Sequence, residues 1–427
     1  MMPSLVLVGL SHRHAPVEVR ERVALTGDQE VALSTRLASG GGEAVCLSTC
    51  NRTEIYCAAE DADAAERASL DVLCEISGIP HGELERVVYR LRDHDVPLHL
   101  FRVAAGLDSL VPGEGEILGQ VRGAYDRGAS GPLLDRLFRD AIYTGRKVRS
   151  ETAIGEVPAS VAAAAAALAE QVFGDLSTCC VALVGAGKTG DLAAQDLVAR
   201  GARIELVANR SPAKAEQVAA RYGGSAVALS DIAARLPGVD VVVASTSARA
   251  YVLTRADVEP TLRARKGRPL FLIDIAVPRD VDPAVHELNG CFLYDIDDLE
   301  TVVADSAPDR AGEAARAEAL VAVEADRFRA WRAARDVAPA IASLRARAEE
   351  IRAAELSRAR PRLGDLTDAE LSAVEAVTSR IVDKLLHMPT VRLKEAAAGV
   401  EGTIPTAALL DLFGLSDDAR PNRNSRQ

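Results

Sequence analysis

The order of apolar and polar positions divides the chain into three regions. Up to about residue 155, short apolar runs alternate with helical stretches. Leu5–Leu10 has the length of a buried strand, and Ala44–Leu47 and Ile55–Ala58 are two further strand candidates. The polar segment Ser48–Glu54 between those two predicts a loop carried by a rigid scaffold. From Leu98 the pattern turns helical.

From residue 156 to about 300, strands and helices alternate. Val181–Val184 predicts a strand, followed by Gly-Ala-Gly-Lys-Thr-Gly and a helix over Asp191–Arg200. A strand at Ile204–Ala208 and a helix at Pro212–Tyr222 come next. Val239–Ala244 and Leu270–Ile275 are continuous apolar runs of the kind that fill a parallel sheet covered on both faces. Such alternation predicts a doubly wound, Rossmann-like sheet. Beyond about residue 305 nearly everything is helical. Val321, Ala325, Phe328 and Trp331 fall on one helix face, and Pro339 is expected to break or kink that run. Thr367 and Glu370 form a capping box before the stripe Leu371, Val374, Val377, Ile381 and Leu385. That segment either packs on its own chain or dimerises. Residues 416–427 are polar and expected to fray. The pattern thus predicts an α/β multidomain chain, with an α+β region over 1–155, a doubly wound region over 156–300 and an all-α region over 301–420.

Composition changes this picture little. With 427 residues, 48% apolar and 26% charged, whole-chain disorder is excluded. The longest apolar stretch, near Val161–Ala169, is far short of the ~18 residues of a membrane span. The first residues lack the basic and long apolar parts of a secretory leader, so a cytoplasmic location with no membrane partner is expected. A net charge of −12 argues against broad nucleic-acid binding but leaves room for a local basic patch. The seven cysteines contain no C-x-x-C pair, so no zinc ribbon is expected and most read as small buried hydrophobes.

Two segments carry candidate chemistry. Gly185, Gly187 and Gly190 make G-x-G-x-x-G between a strand and a helix, where a pyrophosphate approaches backbone at a helix N-terminus. Ala186, Lys188 and Thr189 complete this candidate loop. The next strand ends in Asn209-Arg210-Ser211, with Lys214 one turn on. No carboxylate stands there to hold a ribose 2′-hydroxyl, and Arg210 suits a 2′-phosphate, which favours NADP over NAD. Ser245–Ala248 and Asp274–Asp282 follow later strands and either line the nicotinamide end or are plain loops. The second segment is Ser48–Glu54. Cys50 beside Arg52 fits a thiol of lowered pKa, and equally a buried cysteine at a strand end. His99 is open between a core histidine and a base for the thiol. His12 and His14 read as structural. Ser109–Gln120 is either the border of a pocket or a turn between helices.

The segments SHRHAPVEVRERVAL, LSTCNRTEIY, GLDSLVPGEGEILGQVRGAY, GAGKTG, ANRS, DIAVPRDVDP and KLLHMPTVRLKEAA occur in one order up to about residue 413. In that order they resemble the glutamyl-tRNA reductase family. The resemblance implies NADPH-dependent reduction of glutamyl-tRNA(Glu) to glutamate-1-semialdehyde through a cysteinyl thioester, the first step of the C5 route to tetrapyrroles. It implies a catalytic, a nucleotide and a helical dimerisation domain, the last beginning in a long helix near residues 305–336, and a homodimer. Cys50 would be the nucleophile and His99 its assistant. Thr49, Asn51, Arg52, Ser109, Glu114 and Gln120 would contact substrate, with Arg52 on the glutamate carboxylate. Gly115-Glu116 stands where the family usually has Pro-Gln, which leaves the added charge of Glu116 in need of a partner. No metal is called for. A glutamate-1-semialdehyde aminomutase is a candidate recipient of the product. For tRNA, Trp331–Arg362 holds eight arginines against four acids, and Arg136–Arg149 adds five basic groups; solvated helix faces are the competing reading. Two rivals remain: an NADP-dependent dehydrogenase of a free small molecule, and a non-catalytic tRNA-binding scaffold.

Overall fold

The structure, a computed structural model, describes residues 3–110, 113–155, 161–299, 310–362 and 366–397. The segment 416–427, the expected boundaries near 155 and 300, and Val111 and Pro112 of the Ser109–Gln120 segment lie outside or at the edge of these residues. The chain divides into two compact units, one of residues 3–324 and one from Ala325 onward.

The first unit contains two sheets. The first has the order β2-β3-β1-β4, with β1 Ser4–Ser11, β2 Glu43–Ser48, β3 Arg52–Ala59 and β4 Tyr89–Arg92, every pairing antiparallel. Period-two alternation sends Val6, Val8, Leu10, Ile55 and Cys57 to a core with Leu70 and Leu73 of the helix Ala62–Ser77. On the opposite face Tyr56 meets Phe138 of the helix Pro132–Glu151 edge-on, ring centroids 5.3 Å apart. The expected loop Ser48–Glu54 is shorter than the polarity suggested. The β2–β3 ladder runs on to Ser48 opposite Thr53, leaving only Thr49, Cys50 and Asn51 at the tip. The helix expected from Leu98 starts at Asp95, because Pro97 is tolerated in a first turn.

The second sheet comprises β5 Cys180–Val184, β6 Arg203–Asn209, β7 Ser225–Ala228, β8 Val241–Ala244, β9 Leu270–Asp274 and β10 Cys291–Tyr294. Its order is β10-β9-β8-β5-β6-β7, parallel throughout. This is the doubly wound arrangement, and its strand order reverses between β5 and β8. Val181, Leu183, Val241 and Val243 pack on one side with the alanines of the helix Val161–Phe173. Ala182, Val184, Val242 and Ala244 pack on the other with Ile232 and Val258.

Beyond residue 309 the described chain is helical. The helix Arg310–Ala359 passes through Pro339 without ending, so of the expected break or kink the break does not occur. Proline removes one N–H bond, and an uninterrupted ladder on both sides of that turn keeps the helix. Val321, Ala325 and Phe328 are buried, as their spacing predicts. The helix Asp368–Ala397 opens at the expected cap, where Thr367 N–H donates to Glu370 at 2.8 Å. Val377, Ile381, Leu385 and Met388 on it are exposed. Among the described residues no helix is long and apolar enough to cross a membrane.

Candidate active site

The tip of the β2–β3 hairpin is a tight turn closed by Thr49. Its N–H donates to the Arg52 carbonyl at 2.8 Å, and its hydroxyl accepts from the N–H groups of Asn51 and Arg52, both at 3.2 Å. Asn51 is buried and its carbonyl accepts the His12 N–H at 2.8 Å, which fixes the turn against the end of β1. Cys50 is thereby held at the tip, half-buried.

Arg52, Glu54 and Tyr56 alternate along β3 and so share one face. Gly9 lies opposite Glu54 on β1, and a Cβ there would stand 2.8 Å from the Glu54 Cγ, so the glycine makes room for that side chain. Arg52 Nη1 donates to Glu54 at 2.9 Å and to Asp108 at 2.9 Å, and Nη2 donates to the Asp108 carbonyl. Glu54 accepts from Tyr56 and Tyr89 hydroxyls at 2.5 Å each and meets His99 Nε2 at 2.8 Å. Burial opposes ionisation of Glu54, but His99 and Arg52 outweigh it and hold its carboxyl well below the usual carboxylate range. His99 is thus placed on Glu54, and it does not line the chamber at Cys50. Arg52 is 1% exposed with both terminal nitrogens engaged, while its Nε has no partner. Ser109 is buried beside this cluster in sequence, next to Asp108.

Cys50 opens onto a chamber of about 170 Å³ shared by the two sheets. Glu114, Glu116 and Gln120 line it with Cys50; Thr189, Ser245 and Thr246, and then Ile275, Ala276 and Val277, line it from the second sheet. Both uncertain loops, Ser245–Ala248 and Asp274–Asp282, therefore border the site. Their carboxylates hold them in place: Asp274 accepts the N–H groups of Ala276, Asp280 and Val281, and Asp280 accepts the Thr246 N–H at 2.6 Å. Burial, with Asp280 next, pushes the Asp274 carboxyl up to about 8.

The thiol differs from expectation. Burial pushes Cys50 up to about 12, and Glu114 adds to the rise. The guanidinium that pulls the other way is that of Arg20, whose Nη1 donates to the Cys50 carbonyl at 2.6 Å; Arg52 is spent on Glu54 and Asp108. Burial and Glu116 together raise the Glu114 carboxyl to about 7. Gly115 caps the helix Glu116–Arg127, and Glu116 has the partner its charge required: Lys188 Nζ lies 3.0 Å away. Lys188 is thus turned toward the chamber side and is not part of the dinucleotide cavity lining.

A second cavity of about 590 Å³ adjoins the first, lined by Gly185, Ala186, Gly187, Asn209, Arg210, Ser211, Lys214 and Ser245–Ser247. Gly185 has φ +111°, which a side chain would strain. Asn209 ties the loop down, accepting the Ala186 N–H at 3.3 Å and donating to the Ser211 carbonyl at 3.2 Å. A Cβ on Gly187 would meet nothing within 4 Å, so this glycine leaves open the space a pyrophosphate needs. Gly190 instead faces the Gly185 carbonyl, 2.6 Å from where its Cβ would be, and permits the close helix–strand approach. The Ser245 Oγ over this loop is buried and unpartnered. The residues present fit a dinucleotide.

A doubly wound sheet whose nucleotide cradle adjoins a cysteine chamber defines an oxidoreductase that uses an NADP-type nucleotide. Residues 8–152 match the family "Glutamyl-tRNAGlu reductase, N-terminal domain", residues 167–302 "Shikimate / quinate 5-dehydrogenase", and residues 316–415 "Glutamyl-tRNAGlu reductase, dimerisation domain". The glutamyl-tRNA reductase of Myxococcus xanthus is 43% identical over 419 residues, 97% of this chain and 94% of that protein. That of Rubrobacter xylanophilus is 43% identical over 98% of this chain and 99% of its own length. The solved glutamyl-tRNA reductase of Methanopyrus kandleri is 32% identical, covers 93% of this chain and 99% of that one, and has a TM-score of 0.44. The chain belongs to the glutamyl-tRNA reductase family.

Proposed function

We propose that the chain reduces glutamyl-tRNA(Glu) to glutamate-1-semialdehyde with NADPH, through a thioester on Cys50, as the first step of the C5 route to tetrapyrroles. The observation that carries this reading is the shared chamber, in which Cys50 from the first sheet faces Thr189, Ser245 and Thr246 from the second. A free carboxylate is a poor hydride acceptor, whereas an activated ester passes its acyl group to sulfur and becomes reducible. Sulfur attacks the ester carbonyl, the ribose oxygen leaves, and the thiol proton follows it. Glu114, with a carboxyl near 7 on the chamber wall, takes that proton and returns it to the departing oxygen. Glu114 and Glu116 also present negative charge to the free α-ammonium of an aminoacyl ester, and neutralising them lowers the thiol pKa. Gln120 lines the same wall, whereas Arg52, buried and bonded to Glu54 and Asp108, supports the base of the hairpin and is not among the chamber's lining residues. Thr49 and Asn51 shape the turn, and Ser109 lies buried next to Asp108, which Arg52 holds. NADPH, held by Gly185–Gly187, Arg210, Ser211 and Lys214, supplies hydride when bound. Collapse of the resulting hemithioacetal returns Cys50 to the thiol and releases the aldehyde, for which the aminomutase is the candidate recipient.

The domains we assign are catalytic over 1–155, nucleotide-binding over 156–300 and helical over 301–420. A homodimer would cover the exposed stripe Val377, Ile381, Leu385 and Met388. Many of the arginines on the helices are paired locally, Arg352 with Glu349 and Arg136 with Asp140 for example, so solvated faces account for much of their number. The test is NADPH oxidation with glutamyl-tRNA, free glutamate and uncharged tRNA. Consumption with the first alone is expected. Consumption with a free small molecule, or none at all, would favour the dehydrogenase or scaffold reading.

A further inference from the structure

Reduction of an acyl group on Cys50 requires the loops of the second sheet to stand in fixed register with that sulfur. One short helix, Val17–Val23, touches both. Arg279, two residues beyond Val277 of the chamber wall, is 8% exposed. Its Nη1 donates to Glu18 at 2.9 Å and its Nη2 to Glu21 at 2.8 Å. Its Nε and backbone N–H both donate to the other Glu21 oxygen, at 3.1 and 3.2 Å. Between those acids, Arg20 is 2% exposed. It donates to the Ala15 carbonyl at 3.1 Å, to the Cys50 carbonyl at 2.6 Å and to the carboxylate of Asp297, beyond β10. The other oxygen of Asp297 accepts the Val17 N–H at 3.0 Å. Val17 itself is buried in the core of the second sheet, and Cys50 packs against that same core.

Exposed single ion pairs contribute little, but both guanidiniums here are buried, Arg279 meets Glu21 through two of its nitrogens, and the pairs converge on one helix. We propose that the helix Val17–Val23 is a positioning clamp, with Arg279 on Glu18 and Glu21 and Arg20 on Asp297 setting the register of the dinucleotide-binding loops against Cys50. It rests on the function proposed above. The clamp serves the reductive half-reaction: acyl transfer needs only groups around Cys50, whereas hydride delivery needs both sheets in place. Arg279 and Glu21 line neither cavity, so they act through the loops they hold.

The test uses the full-length protein with Arg279→Glu, Glu21→Arg and the two together, and Arg279→Gln as a milder variant that removes the charge but keeps the backbone N–H bond to Glu21. Four quantities are read: glutamate bound to Cys50 from glutamyl-tRNA without NADPH, NADPH affinity by fluorescence, single-turnover reduction, and the rate at which iodoacetamide labels Cys50. Each single variant should acylate and bind NADPH as the wild type does. Reduction should fall, on the order of a hundredfold for an ångström of misplacement, and labelling of Cys50 should quicken as the chamber opens. The charge-swapped double variant should regain most of the lost reduction. Reduction unchanged in the single variants, or acylation and reduction falling together, overturns the clamp. Wild-type protein that takes no glutamate from glutamyl-tRNA refutes the proposed function instead. The labelling rate then decides the clamp by itself: faster in Arg279→Gln supports it and unchanged refutes it. If the reversals fail to fold, the same four quantities measured on Arg279→Gln decide between these outcomes.

Discussion

A thiol held near 12 makes a quantitative prediction about Cys50 and Glu114. At pH 8 such a group is about one part in ten thousand thiolate, against roughly a quarter for a free cysteine at ~8.5. That is a deficit of roughly two-thousandfold. A more basic thiolate is intrinsically the better nucleophile, by about fortyfold over this span. Iodoacetamide should therefore label Cys50 roughly fiftyfold more slowly than a free thiol at pH 8, before any steric hindrance. Its rate should climb about tenfold per pH unit through pH 9, since the deprotonated fraction is still rising there. Glu114→Gln separates two effects. Removing a negative neighbour lowers the thiol pKa, so labelling at pH 8 should accelerate. Acylation by glutamyl-tRNA should slow, by about a hundredfold or more, because the proton acceptor is gone. The assay is timed labelling between pH 6 and 10 in the ligand-free protein, with peptide mapping to distinguish Cys50 from the half-exposed Cys74 and Cys180. An inflection below about pH 9 would refute the electrostatic account of the chamber. Parallel loss of labelling and acylation in Glu114→Gln would refute its role in proton transfer.

Three further outcomes are expected. Arg210→Ala should weaken NADPH binding about ten- to a hundredfold and NADH binding far less, since one charge-assisted pair contributes about 1.5–3 kcal/mol; equal losses, read by fluorescence titration, would remove Arg210 from the 2′-phosphate site. Gly187→Val should fold, its Cβ meeting nothing within 4 Å, yet lose reduction while retaining acylation, which stopped-flow and acid-quench measurements resolve. Arg52→Met leaves Glu54 buried without its guanidinium and should cost about 3–5 kcal/mol. Because the Glu54 carboxyl is held low in the folded state, its contribution is present above the unfolded value of ~4.3 and is lost as pH falls. The thermal-stability gap between Arg52→Met and wild type should accordingly hold steady from pH 7 to about pH 5 and narrow as the pH is taken below about 4.

Much of the fold was legible because its causes are local. The apolar runs of β5, β8 and β9 report a sheet covered on both faces, and the glycine loop and Asn209-Arg210-Ser211, singled out by their place after two strands, line one cavity at its end. Pro339 does not end its helix because a helix of 50 residues absorbs one missing bond. At the site, Cys50 was visible as a polar-loop cysteine, but its neighbours were not. Arg52 is two residues away along the chain and points into a cluster with Glu54, while Arg20, thirty positions earlier, reaches the Cys50 carbonyl. Glu54 went unnoticed although the signal was present: a carboxylate one residue before the apolar run Ile55–Ala58, alternating with Arg52 and Tyr56. The partnership of Glu116 with Lys188 links residues on different sheets' helices, and no spacing rule reaches across such a distance.

In the mechanism proposed for Cys50, glutamate passes from tRNA to its sulfur before any reduction. Glutamyl-tRNA labelled in the glutamate, mixed with the protein in the absence of NADPH and quenched in acid, tests it directly. Label is expected on the peptide containing Cys50, absent in Cys50→Ser, and chased into aldehyde when NADPH is added. Label on another residue, or full reduction by Cys50→Ser, would contradict it.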